Sequence, residues 1–218
     1  MKFFKPLFLV LFIFSCSNKD NGRWQQHVSY KMVIDVDAES RSYVGTQELV
    51  YTNNSPDTIS RVFYHLYFNA FKPGSEMQVR ASEINDDDRS ISKKILSLDS
   101  KDYGDVRVLE LLQDGAALNV KNQETILEAG LKKPLLPGEK TTLSMRFKVN
   151  VPQQVRRSGK DSEDGIAFSM AQWYPKLCEY DRQGWHANAY LGREFFGVWG
   201  DFDVTINIDK KYTVAGSG

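Results

Sequence analysis

Cysteine, histidine and net charge are all scarce in this 218-residue chain, and each scarcity excludes a class of function. There are two cysteines, Cys16 and Cys178. Cys16 falls at the end of an N-terminal leader, so Cys178 stands alone. A single thiol makes no internal disulfide, and the fold must rest on packing. The histidines are His27, His65 and His186, and no two stand at the i, i+4 spacing that puts paired ligands on one helix face. A zinc site needs three or four ligands, and Cys178 with His186 supplies at most two. His27 reads as solvated and His65 as a packed residue inside an aromatic strand. Lys and Arg total 28 against 28 Asp and Glu. The balance leaves no basic stripe, so nucleic acid is not an expected partner. Gly22, Gly45 and Gly74 are isolated, which excludes a glycine-rich phosphate loop. Ser169 lacks the Gly-x-Ser-x-Gly setting of a nucleophile. Asp86-Asp87-Asp88 lacks the alternation, central Gly and twelfth-position Glu of a calcium loop, and reads as a solvated loop.

Long apolar runs are also missing. Leu7 to Phe14 is continuous and apolar but far short of the roughly 20 residues that span a bilayer. With Lys2 and Lys5 before it, the run fits the core of a secretory signal over residues 1–15. Ile13-Phe14-Ser15-Cys16 then resembles a bacterial lipobox, with the bulky Phe14 departing from the small residue usual there. The expectation is lipidation of Cys16, which would anchor the protein to a membrane, since acyl chains contribute about 0.8 kcal/mol per buried methylene. Residues 16–23 are polar and read as a tether. The implied location is the cell envelope, as a secreted, outer-membrane lipoprotein. Residues 24–218 remain for one domain with a real core.

What is abundant is strand pattern. Tyr30, Met32, Ile34 and Val36 alternate with Lys31, Asp35 and Asp37. Val44 to Thr52 repeats the alternation less cleanly, and Asn53-Asn54-Ser55-Pro56-Asp57 ends it as a turn. Val62 to Phe68 is a dense aromatic and β-branched run that predicts a central strand. Leu143, Met145, Phe147 and Val149 alternate after the turn Pro137-Gly138-Glu139. Phe202, Val204, Ile206 and Ile208 alternate again. Together these predict an all-β, antiparallel sandwich with little helix. Ile91 to Leu98 fits at most a short helical turn, because Ser90, Ser92 and Ser97 compete for backbone hydrogen bonds. Ser82 to Lys94, Ser100 to Asp105 and Gln154 to Gly165 read as exposed loops.

One constellation carries more. Ala171-Gln172-Trp173-Tyr174-Pro175-Lys176 is followed by Gly184-Trp185-His186, Tyr190-Leu191-Gly192 and Gly200-Asp201-Phe202-Asp203-Val204. With looser matches at Tyr30 to Asp37 and His65-Leu66-Tyr67, this order resembles the N-terminal domain of zinc aminopeptidases of the aminopeptidase N type, the gluzincin group. The resemblance covers most of Trp24 to Gly218 and implies a saddle-like β-sandwich. It also shows what is missing, since the family's His-Glu-x-x-His motif with its later Glu, and its Gly-x-Met-Glu-Asn motif, occur nowhere here. The expectation is a front domain without its catalytic domain, zinc and peptide N-termini belonging to the complete enzyme. The apolar strand running into Ala215-Gly216-Ser217-Gly218 reads as a truncated chain.

In the related enzymes a Gln in a Phe-x-x-x-Gln context projects toward the active-site cleft and holds the substrate's N-terminal end. The matching residues are Phe168-Ser169-Met170-Ala171-Gln172, so the resemblance implies a substrate-binding role for Gln172. A Gln suits it, since its carbonyl accepts from an ammonium and its amide donates to a peptide carbonyl. The plainer reading is a Gln that caps loop backbone. Trp173 and Tyr174 are expected to wall the cleft or to pack the loop. No catalytic or metal residue is expected within this chain. The alternative is a non-enzymatic envelope lipoprotein that acts as a binding module, because fold does not fix function.

Overall fold

The computed structural model describes residues 22–84, 89–192 and 196–216. The signal segment, Cys16 and the Asp86–Asp88 run lie outside the described residues.

Strand β1 (His27–Asp37) turns through residues 38–41 into β2 (Ser42–Thr52), and the two pair antiparallel in unbroken register from His27↔Thr52 to Asp37↔Ser42. Period-two burial explains the register. Tyr30, Met32 and Ile34 point inward from β1, and Tyr43, Gln47, Leu49 and Tyr51 from β2. A slip of one residue would turn all of them to solvent. The second sheet begins with β3 (Ile59–His65), and β4 (Asp105–Gln113) and β5 (Ala116–Ala117) return to the first. β6 (Val120–Gln123) and β7 (Ile126–Leu135) belong to the second sheet, and β8 (Lys140–Asn150) crosses back to pair with both β2 and β4.

Four short strands follow in the aromatic region: β9 (Gly159–Lys160), β10 (Phe168–Ser169), β11 (Lys176–Leu177) and β12 (Tyr180–Asp181). β13 (Gly184–Trp185) closes a small hairpin with β12, and β14 (Gly200–Asn207) is the last strand. The large sheet runs β14-β1-β2-β8-β4-β5, and the second runs β11-β3-β7-β6. The predicted all-β antiparallel sandwich is what forms, with one exception. β14 lies parallel to β1, Val28 opposite Gly200 through Asp35 opposite Asn207.

The core joins both sheets. Leu49, Tyr51, Phe147 and Val149 from the large sheet cluster with Val62, Tyr64, Leu127 and Ala129 from the second, each nearly inaccessible. Burial of each large side chain is worth about 1.5–3 kcal/mol. Gly45 faces Phe147 across the β2–β8 ladder, and a Cβ at Gly45 would collide with the Phe147 ring. The glycine is therefore a packing requirement. The turn after β2 is fixed by Asn53, whose buried amide donates to the Asp57 and Leu135 carbonyls while its oxygen accepts from Gln26 and Ser55.

Three sequence expectations fail here. Gln154 to Gly165 is not an exposed loop throughout, because Val155, Ser158 and Lys160 are buried and Gly159–Lys160 forms β9. The segment around Ser82 to Lys94 is not all loop, because helices α1 (Glu76–Glu83) and α2 (Arg89–Leu96) occupy most of it. Ser75 caps α1, its Oγ accepting from Gln78 N at 3.1 Å, and Gln78 Nε2 donates to Ser92 Oγ at 3.1 Å. Met77 and Ile95 bury completely from the two helices into the core. The aromatic run from Val62 also stops being strand at His65, and Tyr67–Ala70 winds into a 3-10 turn. Among the described residues no helix is long and apolar enough to cross a membrane.

Candidate functional site

An open groove lies along the β1–β14 end of the large sheet. Met32, Ile34 and Val36 of β1 make its floor, Trp173 and Tyr174 one wall, and Phe202, Val204 and Ile206 of β14 the other. It encloses about 630 Å³. Drug-sized ligand sites run to about 300–1,000 Å³, so the groove has the capacity of a binding site. β14 is exposed along almost its whole length, Phe202 by 48%. The alternating apolar pattern of β14 predicts a half-buried strand, and its apolar face is partly covered, with Phe202 stacked on Tyr30 at 5.0 Å and Val204 and Ile206 38% and 43% exposed.

The aromatic loop is locked to the sheet. Tyr43 Oη donates to the Trp173 carbonyl. Tyr43 meets the Trp173 ring edge-on at 6.2 Å, and Tyr30 meets Tyr174 edge-on at 5.5 Å. Leu177 N donates to Tyr30 Oη at 3.0 Å, fixing the strand that follows. Trp173 and Tyr174 thus pack the loop against the sheet and also line this groove.

Gln172 sits one residue before these rings but faces elsewhere. It borders a separate notch with Tyr67, Phe71, Arg156, Ser158 and Tyr190. The notch holds about 10 Å³, the space of a single water. Gln172 has left-handed backbone geometry, φ 56°. Such a conformation costs a non-glycine residue about 1–2 kcal/mol. It persists because both neighbours are clamped. Ala171 N donates to Ser158 Oγ at 2.9 Å and Ser158 Oγ donates to the Ala171 carbonyl at 2.6 Å, while Tyr43 holds Trp173. This turn explains why consecutive side chains enter two different depressions. The sequence carried no signal for it, since a positive φ at a Gln has no sequence mark. Arg156, which packs over Gly192, brings a guanidinium to the same notch. A second feature missed from sequence is thus the positive charge beside Gln172.

The histidines are not brought together. His27 is exposed and lies 3.3 Å from Asp201. His65 is buried and stacked on Tyr67 at 4.9 Å, as a packed residue should be. His186 lies 2.9 Å from Asp181 on the β12–β13 hairpin and meets Phe196 edge-on. Cys178 is fully buried, and that burial pushes its thiol well above the usual value. Among the described residues no three His, Cys, Asp or Glu side chains converge as a metal site.

The hairpin does gather ionisable groups. Burial, then Asp181, pushes the Glu179 carboxyl up to about 7, against the pull of His186. Burial would raise Asp181 too, but the His186 ring and the Gln183 N–H outweigh it and hold it below its usual value. Burial lowers Lys176, which packs over Gly197.

The architecture defined here is a β-sandwich with an open aromatic-walled groove and no metal centre among its described residues. Comparison with known proteins gives a partial likeness. No family model and no curated protein matches the chain. Among solved structures, a two-domain M1 zinc metallopeptidase variant bound to L-tryptophan is 18% identical, covering 69% of this chain and 28% of that one, with a TM-score of 0.41. The M1 zinc metallopeptidase from Deinococcus radiodurans is 16% identical over 68% of this chain and 26% of its own, with a TM-score of 0.39. A variant of that enzyme bound to a Tyr-Ser-Ala substrate matches to the same extent. The chain spans little more than a quarter of the length of these structures, and the likeness extends to no residue role.

Proposed function

We propose that this chain is the N-terminal, substrate-cleft domain of a secreted zinc aminopeptidase that removes N-terminal residues from peptides. The zinc and the catalytic groups of the complete enzyme belong to residues outside this chain. The observation that carries the reading is the Gln172 turn. The motif order Ala171 to Val204 resembles the aminopeptidase N type, and the residue it singles out is held strained and clamped at a surface notch. Strain of this kind gathers at functional positions. Gln172 would contact the first residue of the peptide. With Arg156 beside it, the group it favours is a peptide oxygen rather than the ammonium, since a guanidinium repels a second cation and also donates only.

The test uses a protein that joins this domain to its zinc domain. Loss of one orienting hydrogen bond to a charged or polarised group costs about 1.5–3 kcal/mol. Gln172→Ala should lower kcat/KM by roughly one to two orders of magnitude with little change in thermal stability. Unchanged kinetics with a large loss of stability would make Gln172 a structural residue and end the assignment.

A second reading is supported by the groove itself. Its 630 Å³ and apolar lining suit a non-enzymatic binding module of the envelope. A downstream frame that encodes a His-Glu-x-x-His helix separates the two in favour of the enzyme. In either case Cys16 is proposed as the lipidated first residue of the mature protein, anchoring it to a membrane. Labelled fatty acid incorporated equally by wild type and Cys16→Ser would refute this.

A further inference from the structure

The notch beside Gln172 is built from the two arms of one hairpin. β9 and β10 pair antiparallel, Lys160 opposite Phe168 and Gly159 opposite Ser169. Carried past that short ladder, the same register brings Arg156 abreast of Gln172. Side-chain bonds hold the arms together there. Ser158 Oγ bonds both the N–H and the carbonyl of Ala171, and Ser169 Oγ donates to the Arg157 carbonyl at 2.7 Å. Val155, just before Arg156, is buried in the core. Gly192 completes the seat of the guanidinium. It has φ 116°, and a Cβ there would collide with Arg156 Nη1. The missing side chain leaves the space that Arg156 occupies.

The charge around this seat has one sign. Arg156 and Arg157 both line the notch, and the rings of Tyr67, Phe71 and Tyr190 form its apolar side. Among the described residues no Asp or Glu lines it, and none pairs with Arg156. The excess is local, since Lys and Arg total 28 against 28 Asp and Glu over the whole chain. A guanidinium set against aromatic rings is partly stripped of water, which strengthens its pull on a charged oxygen. The free space of about 10 Å³ admits one oxygen atom and keeps the bulk of a ligand outside. A carboxylate at the end of a side chain meets both conditions. An ammonium is repelled, and an apolar side chain leaves the guanidinium without an acceptor.

We propose that Arg156 makes this site selective for peptides whose first residue is acidic. Its guanidinium takes the side-chain carboxylate of that Asp or Glu, while Gln172 takes a peptide oxygen. The proposal rests on the reading of this notch as the seat of the peptide's first residue, and it adds the class of residue seated there.

The test compares the p-nitroanilides of glutamate and glutamine, which differ in charge and hardly in shape, in protein that joins this domain to its zinc domain. The glutamate substrate should have the higher kcat/KM by roughly 10–100-fold, the worth of one charge-assisted pair. Arg156→Gln should abolish the difference. Arg156→Lys should keep part of it, because lysine retains the charge and loses the planar fork. Arg156→Glu should reverse the preference, so that the lysine anilide is cleaved faster than the glutamate one. Gln172→Ala should slow both substrates and leave their ratio in place, which separates the two residues. A wild-type ratio near one, or a ratio that survives Arg156→Gln, would overturn the proposal while Gln172 keeps its role. A ratio that survives while Arg156→Gln lowers the melting temperature would overturn it too, giving Arg156 to a carboxylate of the zinc domain. A ratio lost in Arg156→Gln beside kinetics indifferent to Gln172→Ala would uphold the acidic preference and end the role of Gln172 instead.

Discussion

Glu179 makes stability fall as the solution becomes more alkaline, and the size of the effect follows from its surroundings. The carboxyl is buried at the base of the β12–β13 hairpin, with Asp181 repelling its charge. His186 and Lys176 oppose that push, and Tyr51 of β2 faces the same spot. Its value moves from an ordinary 4.5 to about 7. The folded protein therefore holds a proton that the unfolded chain releases. Between about pH 4.5 and 7 the folded state binds more protons than the unfolded one, so stability drops as pH rises through this window. Below the window both states are protonated and the site costs nothing. Above it the full cost is present. One pKa unit corresponds to about 1.4 kcal/mol, which sets a ceiling of roughly 3 kcal/mol. Screening by water at the hairpin mouth reduces this to about 1–2 kcal/mol. Glu179→Gln keeps the shape and removes the charge. Its melting temperature should match wild type at pH 4 and exceed it by about 2–8 °C at pH 8. Calorimetry at the two pH values decides. An equal shift at both, or none at pH 8, would refute the argument that a buried, repelled charge is the cause.

Two further outcomes follow from packing. Gly45→Ala should destabilise by about 1–3 kcal/mol in guanidinium unfolding, because the new methyl meets the Phe147 ring, and adding Phe147→Leu should recover part of the loss. Tyr30→Phe should cost about 1–3 kcal/mol by leaving the Leu177 N–H buried and unpaired, and should quench the order of the aromatic loop in near-ultraviolet dichroism.

The strands that could be read from sequence are those with one buried face and no irregularity. β1 and β8 alternate cleanly, and β2 less so because Gly45 and Gln47 face inward and Val44 outward, as the three lie side by side in continuous register. β4 did not show itself. A register shift between Val108 and Glu110 breaks its period, and Leu109 turns outward, half exposed. β7 was hidden for a similar reason, its pairing with β3 being interrupted between Ile59 and Arg61. The helix pair had a legible signal that polar composition masked. Ser75 and Gln78 stand at the spacing of a helix start, and Ser75 caps the first turn. At the site, the aromatic ring contacts of Trp173 and Tyr174 followed from their chemistry. The direction of Gln172 did not. Its position depends on a left-handed residue and on Ser158 and Arg156, which approach from a distant loop.

The parallel ladder between β1 and β14 has a consequence for how the molecule is made. Asn207 and Asp35, joined by a hydrogen bond at 2.7 Å, are 172 residues apart in the chain. β1 precedes its neighbour β2 by only a short turn, but the strand on its other side, β14, is made more than 160 residues later. Contacts this distant carry the largest loop-closure cost and form late. The β1–β14 seam is therefore expected to close after the β1–β2 hairpin, and substitutions along it should act on the rate at which the sheet comes apart rather than the rate at which it forms.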